Sequence, residues 1–150
     1  MRRGSGKSTV ARALHQHFDH GRSTLIATTC LRRRQLVIVE GLGTGQAVAT
    51  TAGRLPARWV IHAVGPIWSA TEDRSALLAS CYRESLRVAA ELGAETVAFP
   101  AISTGIFGWP MDDGARLAVE TVGATETAVE YVRFVLFDER ALAAFAVALE

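Results

Sequence analysis

Two stretches of this chain combine small residues and hydroxyls at a spacing that could hold a phosphate: Gly4-Ser5-Gly6-Lys7-Ser8-Thr9 and Ser103-Thr104-Gly105-Ile106-Phe107-Gly108. In both, a tight loop followed by a helix would let backbone N–H groups converge on an anion, with the helix start adding a positive partial charge. In the second stretch, Gly105 and Gly108 would permit a left-handed backbone and a close ligand approach that a Cβ would block. An ordinary strand-to-helix connection would use the same residue types, so the flanking elements have to decide.

Around the second stretch those elements are well marked. Val97 to Ala101 reads as a short buried strand running into the loop. Trp109-Pro110 follows, and Pro110 suits the first position of a helix because its φ is fixed and it has no N–H to lose. Asp112 and Asp113 then fall in the first helical turn, where negative charge is favoured. The helix runs from about Pro110 to Val122, with Ala115, Ala118, Val119 and Val122 as its inward stripe.

The remaining elements follow the same periodicities. Gln46 to Thr51 is a short strand, and Arg58 to Val64, rich in β-branched and aromatic residues, is a stronger one closed by Gly65-Pro66. Ser75 to Leu92 places Leu78, Cys81, Tyr82, Ser85, Leu86, Ala89 and Leu92 on one helical face, with Gly93 as its stop. Val132 to Phe137 is a near-continuous apolar strand, and Asp138-Glu139 open a last helix to about Leu149. Strands alternating with helices predict an α/β sheet covered by helices, with ligands bound outside the carboxyl ends of the strands. His62, inside a strand, is expected to be a packed residue, and Cys81 a small buried apolar one.

The first forty-two residues differ in character. They carry eight Lys/Arg against two Asp/Glu, whereas residues 43–150 carry eight against thirteen. Gly4, Gly6, Lys7, Ser8 and Thr9 match the later half of the P-loop pattern G-x-x-x-x-G-K-[ST], and GSGKSTVARAL resembles the opening of small P-loop kinases. The first glycine of that pattern would fall on Met1, and the strand that leads into such a loop has no counterpart. A helix is expected next, with Val10, Ala13, Leu14 and His17 on one face. His15, His17 and His20 share no helical face, so no zinc site is expected. Residues 1–42 are thus expected to be a P-loop-like segment rather than an independent domain, and Arg32-Arg33-Arg34 a solvated basic run.

With 49% apolar and 21% charged residues, the chain belongs with globular and not disordered proteins. Cys30 and Cys81 have no paired spacing, which points to a reduced, cytoplasmic setting. The longest apolar run, Ala141 to Leu149, is too short to span a bilayer, and no signal-peptide layout is present. Neither a membrane nor a nucleic-acid partner is expected, and the oligomeric state is open.

Several stretches together resemble a macrodomain of the bacterial type related to O-acetyl-ADP-ribose deacetylases: LPARWVIHAVGPIW, LLASCYRESLRVAAELGA, VAFPAISTGIFGWP and VRFVLFDE, in family order. The resemblance covers about Gly41 to Glu150, so residues 43–150 are expected to form a partial macrodomain. It implies a three-layer α/β/α fold with a mixed sheet and a cleft for ADP-ribose or a derivative, without a cofactor or metal. Ser103, Thr104, Gly105, Ile106 and Phe107 would be the family's second phosphate loop. Phe137 would be the aromatic at the adenine, although a core residue would fit its position as well.

The resemblance also marks what is missing. The family's opening strand with its Gly-Asp pair, the Asn-Ala-Ala-Asn stretch and the first Gly-rich loop have no counterpart here, and with them go the usual catalytic residues. The catalytic residues are therefore unknown, and an N-terminal strand or strands is expected to be lacking from the sheet. A lost central strand would leave apolar sheet edge open, a gap that Gln35 to Val39 could fill. The leading expectation is a macrodomain-like ADP-ribose-binding protein with reduced or lost deacetylase or hydrolase activity. The alternative is an ATP-dependent kinase working through Lys7 and Ser8.

Overall fold

The computed structural model describes residues 41–150 in full and, ahead of them, the backbone of three strands. These are β1 (Leu14–Asp19), β2 (Arg22–Thr28) and β3 (Leu36–Val39), joined antiparallel in the order β1-β2-β3. Two expectations are corrected here. Leu14 and His17 lie in a strand, not in a helix. In the pairing of β1 with β2, Leu14 lies opposite Ala27 and Asp19 opposite Arg22. Likewise, the run Gln35 to Val39 contributes β3, but β3 pairs with β2 and not with the sheets that follow.

β4 (Ala47–Thr51) and β5 (Trp59–Ala63) form an antiparallel pair in the register Ala47 opposite Ala63 and Thr51 opposite Trp59. Helix α1 (Ser75–Glu91) follows. β6 (Thr96–Phe99) and β7 (Tyr131–Phe134) pair in parallel, Thr96 beside Tyr131 and Phe99 beside Phe134. The parallel register needs a crossover, which α2 (Met111–Ala124) supplies. Helix α3 (Glu139–Ala148) closes the chain. No ladder joins β5 to β6, so the two strand pairs remain separate sheets.

One core nevertheless serves both. Leu78, Tyr82, Leu86 and Ala89 of α1, Ala115 and Ala118 of α2 and Phe145 of α3 pack with Phe99 and Trp109, and Ile61, Val97, Val132 and Phe134 close around them. The predicted stripe of α1 is buried from Leu78 to Ala89. Tyr82, Phe99, Phe134 and Phe145 form an aromatic cluster, with ring centroids 5.2 Å apart for Tyr82 and Phe99 and 4.8 Å for Phe134 and Phe145. Such pairs add about 0.5–1.5 kcal/mol each beyond the area they bury.

The ends of the elements are chemically specified. Gly93 takes a left-handed φ of 65° and donates to the Ala90 carbonyl at 3.0 Å, ending α1 as predicted. The Asp138 carboxylate accepts from the Ala141 N–H at 2.8 Å and so caps α3. The strands leading to the loops are shorter than the apolar runs suggest. β6 stops at Phe99 and exposes Thr96 and Ala98, so it is covered on its Val97 and Phe99 face and not buried throughout. β7 stops at Phe134, which leaves Phe137 outside the ladder.

Candidate anion-binding site at the carboxyl ends of the strands

Beyond β6 the chain turns through 101–108 before α2 begins. Each end of this turn is held by a specific bond. The Ile102 N–H donates to the Tyr82 hydroxyl at 3.1 Å, and the Thr104 hydroxyl donates to the Ala101 carbonyl at 3.0 Å. The Gly108 N–H reaches the Gly105 carbonyl and the Trp109 N–H reaches the Ser103 carbonyl, both at 3.0 Å. Tyr82 is itself fully buried on α1, and burial pushes its hydroxyl well above the ordinary tyrosine range. It therefore stays a neutral hydroxyl, able to accept from the loop.

The backbone geometry corrects one reading and refines another. Gly105 is not left-handed. The positive φ values belong to Gly108 (68°) and to Ser103 (64°), a non-glycine residue held there by the bonds around it. Pro110, with φ −55° and ψ 130°, is the residue before the helix, and Met111 is its first member. Asp112 and Asp113 lie in the first turn as expected.

Among the described residues, no acceptor lies within hydrogen-bond reach of the successive N–H groups of Thr104, Gly105 and Ile106. Gly105 faces open space: a Cβ added there would meet nothing within 4 Å. A run of free donors beside open volume, just ahead of a helix start, is an arrangement that attracts an anion.

A second loop backs the first. The Trp68 N–H donates to the Phe107 carbonyl at 2.9 Å, and Arg74 donates to the Ile67 carbonyl at 3.1 Å. Gly65 lies so close that a Cβ there would sit 2.5 Å from the Ser103 hydroxyl oxygen. That hydroxyl is buried and has no hydrogen-bond partner among the described residues.

The residues expected to bind are thus partly brought together. Ser103 turns its side chain inward to Gly65, Thr104 is tied to Ala101, Ile106 is 91% exposed and Phe107 is half-buried. Phe137 is 86% exposed, so it is not a core residue. In the parallel register it lies three residues past Phe134, as Ile102 lies three past Phe99, at the same end of the sheet. Gly4, Gly6, Lys7, Ser8 and Thr9 lie outside the described residues. Tyr82, Gly65 and the Trp109–Asp113 pair were not singled out as site residues. Tyr82 reads as core by its spacing, and Gly65-Pro66 reads only as a strand end.

The neighbouring ionisable groups are already engaged. Asp113 accepts from the Trp109 indole at 2.9 Å and from Arg116 at 2.7 Å, and the Arg116 bond leads in holding its carboxyl below the ordinary range. His62 is 2% exposed, with Nε2 2.9 Å from the Thr50 hydroxyl, and burial lowers its pKa. Burial likewise pushes the Cys81 thiol up to about 11, so it is no nucleophile at neutral pH. No cluster of three His, Cys, Asp or Glu side chains suited to a metal occurs among the described residues.

Comparison with known proteins gives a consistent set of relatives. Residues 2–118 match the macro domain family. A macro domain-containing protein of Streptomyces coelicolor is 69% identical over 124 residues, covering 83% of this chain and 73% of that protein. An O-acetyl-ADP-ribose deacetylase of Enterobacter cloacae is 50% identical over 102 residues, covering 65% of this chain and 57% of that one. Among solved structures, an Oceanobacillus iheyensis macrodomain mutant with ADPR superposes with a TM-score of 0.69 at 39% identity, over 73% of this chain. This chain spans 61% of the length of that macrodomain. The same macrodomain has been solved with ADP, again at a TM-score of 0.69.

Proposed function

The chain belongs to the macro domain family, and from that premise we propose that it binds ADP-ribose or a derivative at the carboxyl ends of β6 and β7. The observation that carries the reading is the run of three N–H groups, Thr104 to Ile106, that find no acceptor among the described residues, beside the open space at Gly105. In this reading Ser103 to Phe107 receive the diphosphate and distal ribose. Phe137, exposed at the same end, offers an apolar face to the adenine; base stacking of this kind is worth about 1–3 kcal/mol. The ADPR-bound and ADP-bound relatives support the ligand class.

Turnover is a separate matter. The deacetylase relative makes hydrolysis of O-acetyl-ADP-ribose the reaction to assay. A positioned base is needed for it. Asp113 is occupied, and His62 is buried within β5 with its Nε2 at the Thr50 hydroxyl. We therefore expect binding with little or no acetate release. A reduced, cytoplasmic setting accords with the free thiol of Cys81 in the core. No observation favours the kinase reading.

The test is calorimetric titration with ADP-ribose, with ATP plus magnesium as comparison. A saturable ADP-ribose signal with a flat ATP trace is expected. Equal affinity for the two, or silence with both from folded protein, would reject the proposal.

A further inference from the structure

The loop that carries the free donors is seated on the first turn of α2, and one carboxylate locks it there. The Trp109 side chain is 4% exposed, and its indole N–H donates to one oxygen of Asp113 at 2.9 Å. The Trp109 backbone N–H donates to the Ser103 carbonyl at 3.0 Å, which draws the end of the loop against its beginning. Gly114 makes room beneath both ends. A Cβ there would lie 2.7 Å from the Thr104 methyl carbon and 3.4 Å from the Trp109 ring. Thr104, the first of the donor run, and Trp109, three residues past its last, therefore rest on the same glycine.

We propose that Asp113 is a positioning residue for this loop: by holding the Trp109 indole, it fixes the Trp109–Ser103 closure and so the aim of the Thr104 to Ile106 donors. A general role in countering the helix charge does not account for the arrangement. Asp112 sits in the same turn, is exposed, and makes no hydrogen bond to another described side chain, whereas both Asp113 oxygens are directed. Arg116 takes the second oxygen at 2.7 Å and is itself braced by Glu120 at 2.7 Å, which keeps the carboxylate from rotating away from the indole. Without Asp113 a buried indole donor would lose its acceptor, and the ring would have reason to leave its seat. The consequence for affinity rests on the ADP-ribose reading above; the consequence for the loop does not.

The experiment compares ligand-free wild type with Asp113→Ala, Asp113→Asn and Trp109→Phe by amide hydrogen exchange and by the Trp109 indole N–H resonance. In Asp113→Ala, exchange of the bonded Gly108 and Trp109 amides should rise about tenfold, the size expected for one charge-assisted hydrogen bond. Amides of Thr96–Phe99 and α1 should be unchanged. Asp113→Asn keeps an oxygen that can accept the indole proton, and it should stay within about twofold of wild type on the same scale. ADP-ribose affinity should fall about three- to tenfold in Asp113→Ala and in Trp109→Phe, and the double variant should be no weaker than either alone. Unchanged Gly108 and Trp109 exchange in a folded Asp113→Ala overturns the inference. Should that variant unfold, Trp109→Phe decides: it must loosen the same two amides or the inference falls. If wild type takes no ADP-ribose but the amides respond as stated, the binding function fails and the brace stands.

Discussion

The Ser103 hydroxyl oxygen lies where Gly65 leaves room for it: a Cβ on Gly65 would stand only 2.5 Å away. This contact joins the loop after β5 to the loop after β6, although no ladder joins the two strands. The same added carbon would lie 3.0 Å from the Ile102 side chain. Gly65→Ala should therefore destabilise the fold by about 1–3 kcal/mol, the usual range for overpacking. Chemical denaturation checks this, and a Gly65→Ala protein as stable as wild type would show that the two loops can part freely.

Gly105 is the opposite case, since a side chain there meets no protein atom within 4 Å and its φ is not in the left-handed region. Gly105→Ala should leave stability within about 0.5 kcal/mol of wild type, as an uncrowded surface change does. Gly105→Glu should be similarly stable yet lose ADP-ribose binding, because its carboxylate would compete for the same donors. Thermal melting paired with titration separates the two effects. Undiminished binding by folded Gly105→Glu would move the ligand away from this loop.

His62 gives the fold a pH dependence with a defined sign. Burial lowers its pKa below the ordinary 6.5, so the unfolded chain binds the proton more readily. Its contribution is fully present above about pH 6.5, the unfolded histidine value, and is lost as the pH falls towards the folded value. Denaturation midpoints should decline as the pH is lowered from 7, and His62→Gln should flatten that decline. An identical slope in the variant would assign the acid sensitivity to other groups.

Cys81 donates its thiol to the Val64 and Leu77 carbonyls at 3.3 Å and is fully buried. With its thiol pushed up to about 11, it should resist a thiol reagent at pH 8 in native protein and react on unfolding. Counting reactive thiols with and without denaturant checks this. Rapid native labelling at Cys81 would mean that α1 lifts from the strand end.

Much of the fold was legible in the chain because its signals are local. The apolar face of α1, the Gly93 stop and the opening of α3 at Asp138-Glu139 each depend on residues within a turn or two of one another, and each appears where its spacing placed it. Strand lengths were less legible: Val97 to Ala101 and Val132 to Phe137 are apolar runs, but the ladder ends at Phe99 and Phe134. A ladder stops where its partner departs, which the run itself does not encode. The strand at Leu14–Asp19 was missed because its few apolar residues suit either period.

The candidate site divides along the same line. Residue order and type were enough to place a donor-rich loop between a strand and a helix, to put Asp112 and Asp113 in the first turn, and to bring out the macrodomain resemblance. They could not say that Gly105 would be open instead of left-handed, that Ser103 would turn in against Gly65, or that Tyr82 and Asp113 would hold the loop's two ends. Nor could they say that β3 would pair with β2 and leave β5 and β6 unjoined. Helix caps and stripes arise from neighbours in sequence. Loop aim and sheet closure arise from side chains and edges far apart in the chain, whose contacts exist only once the core has formed.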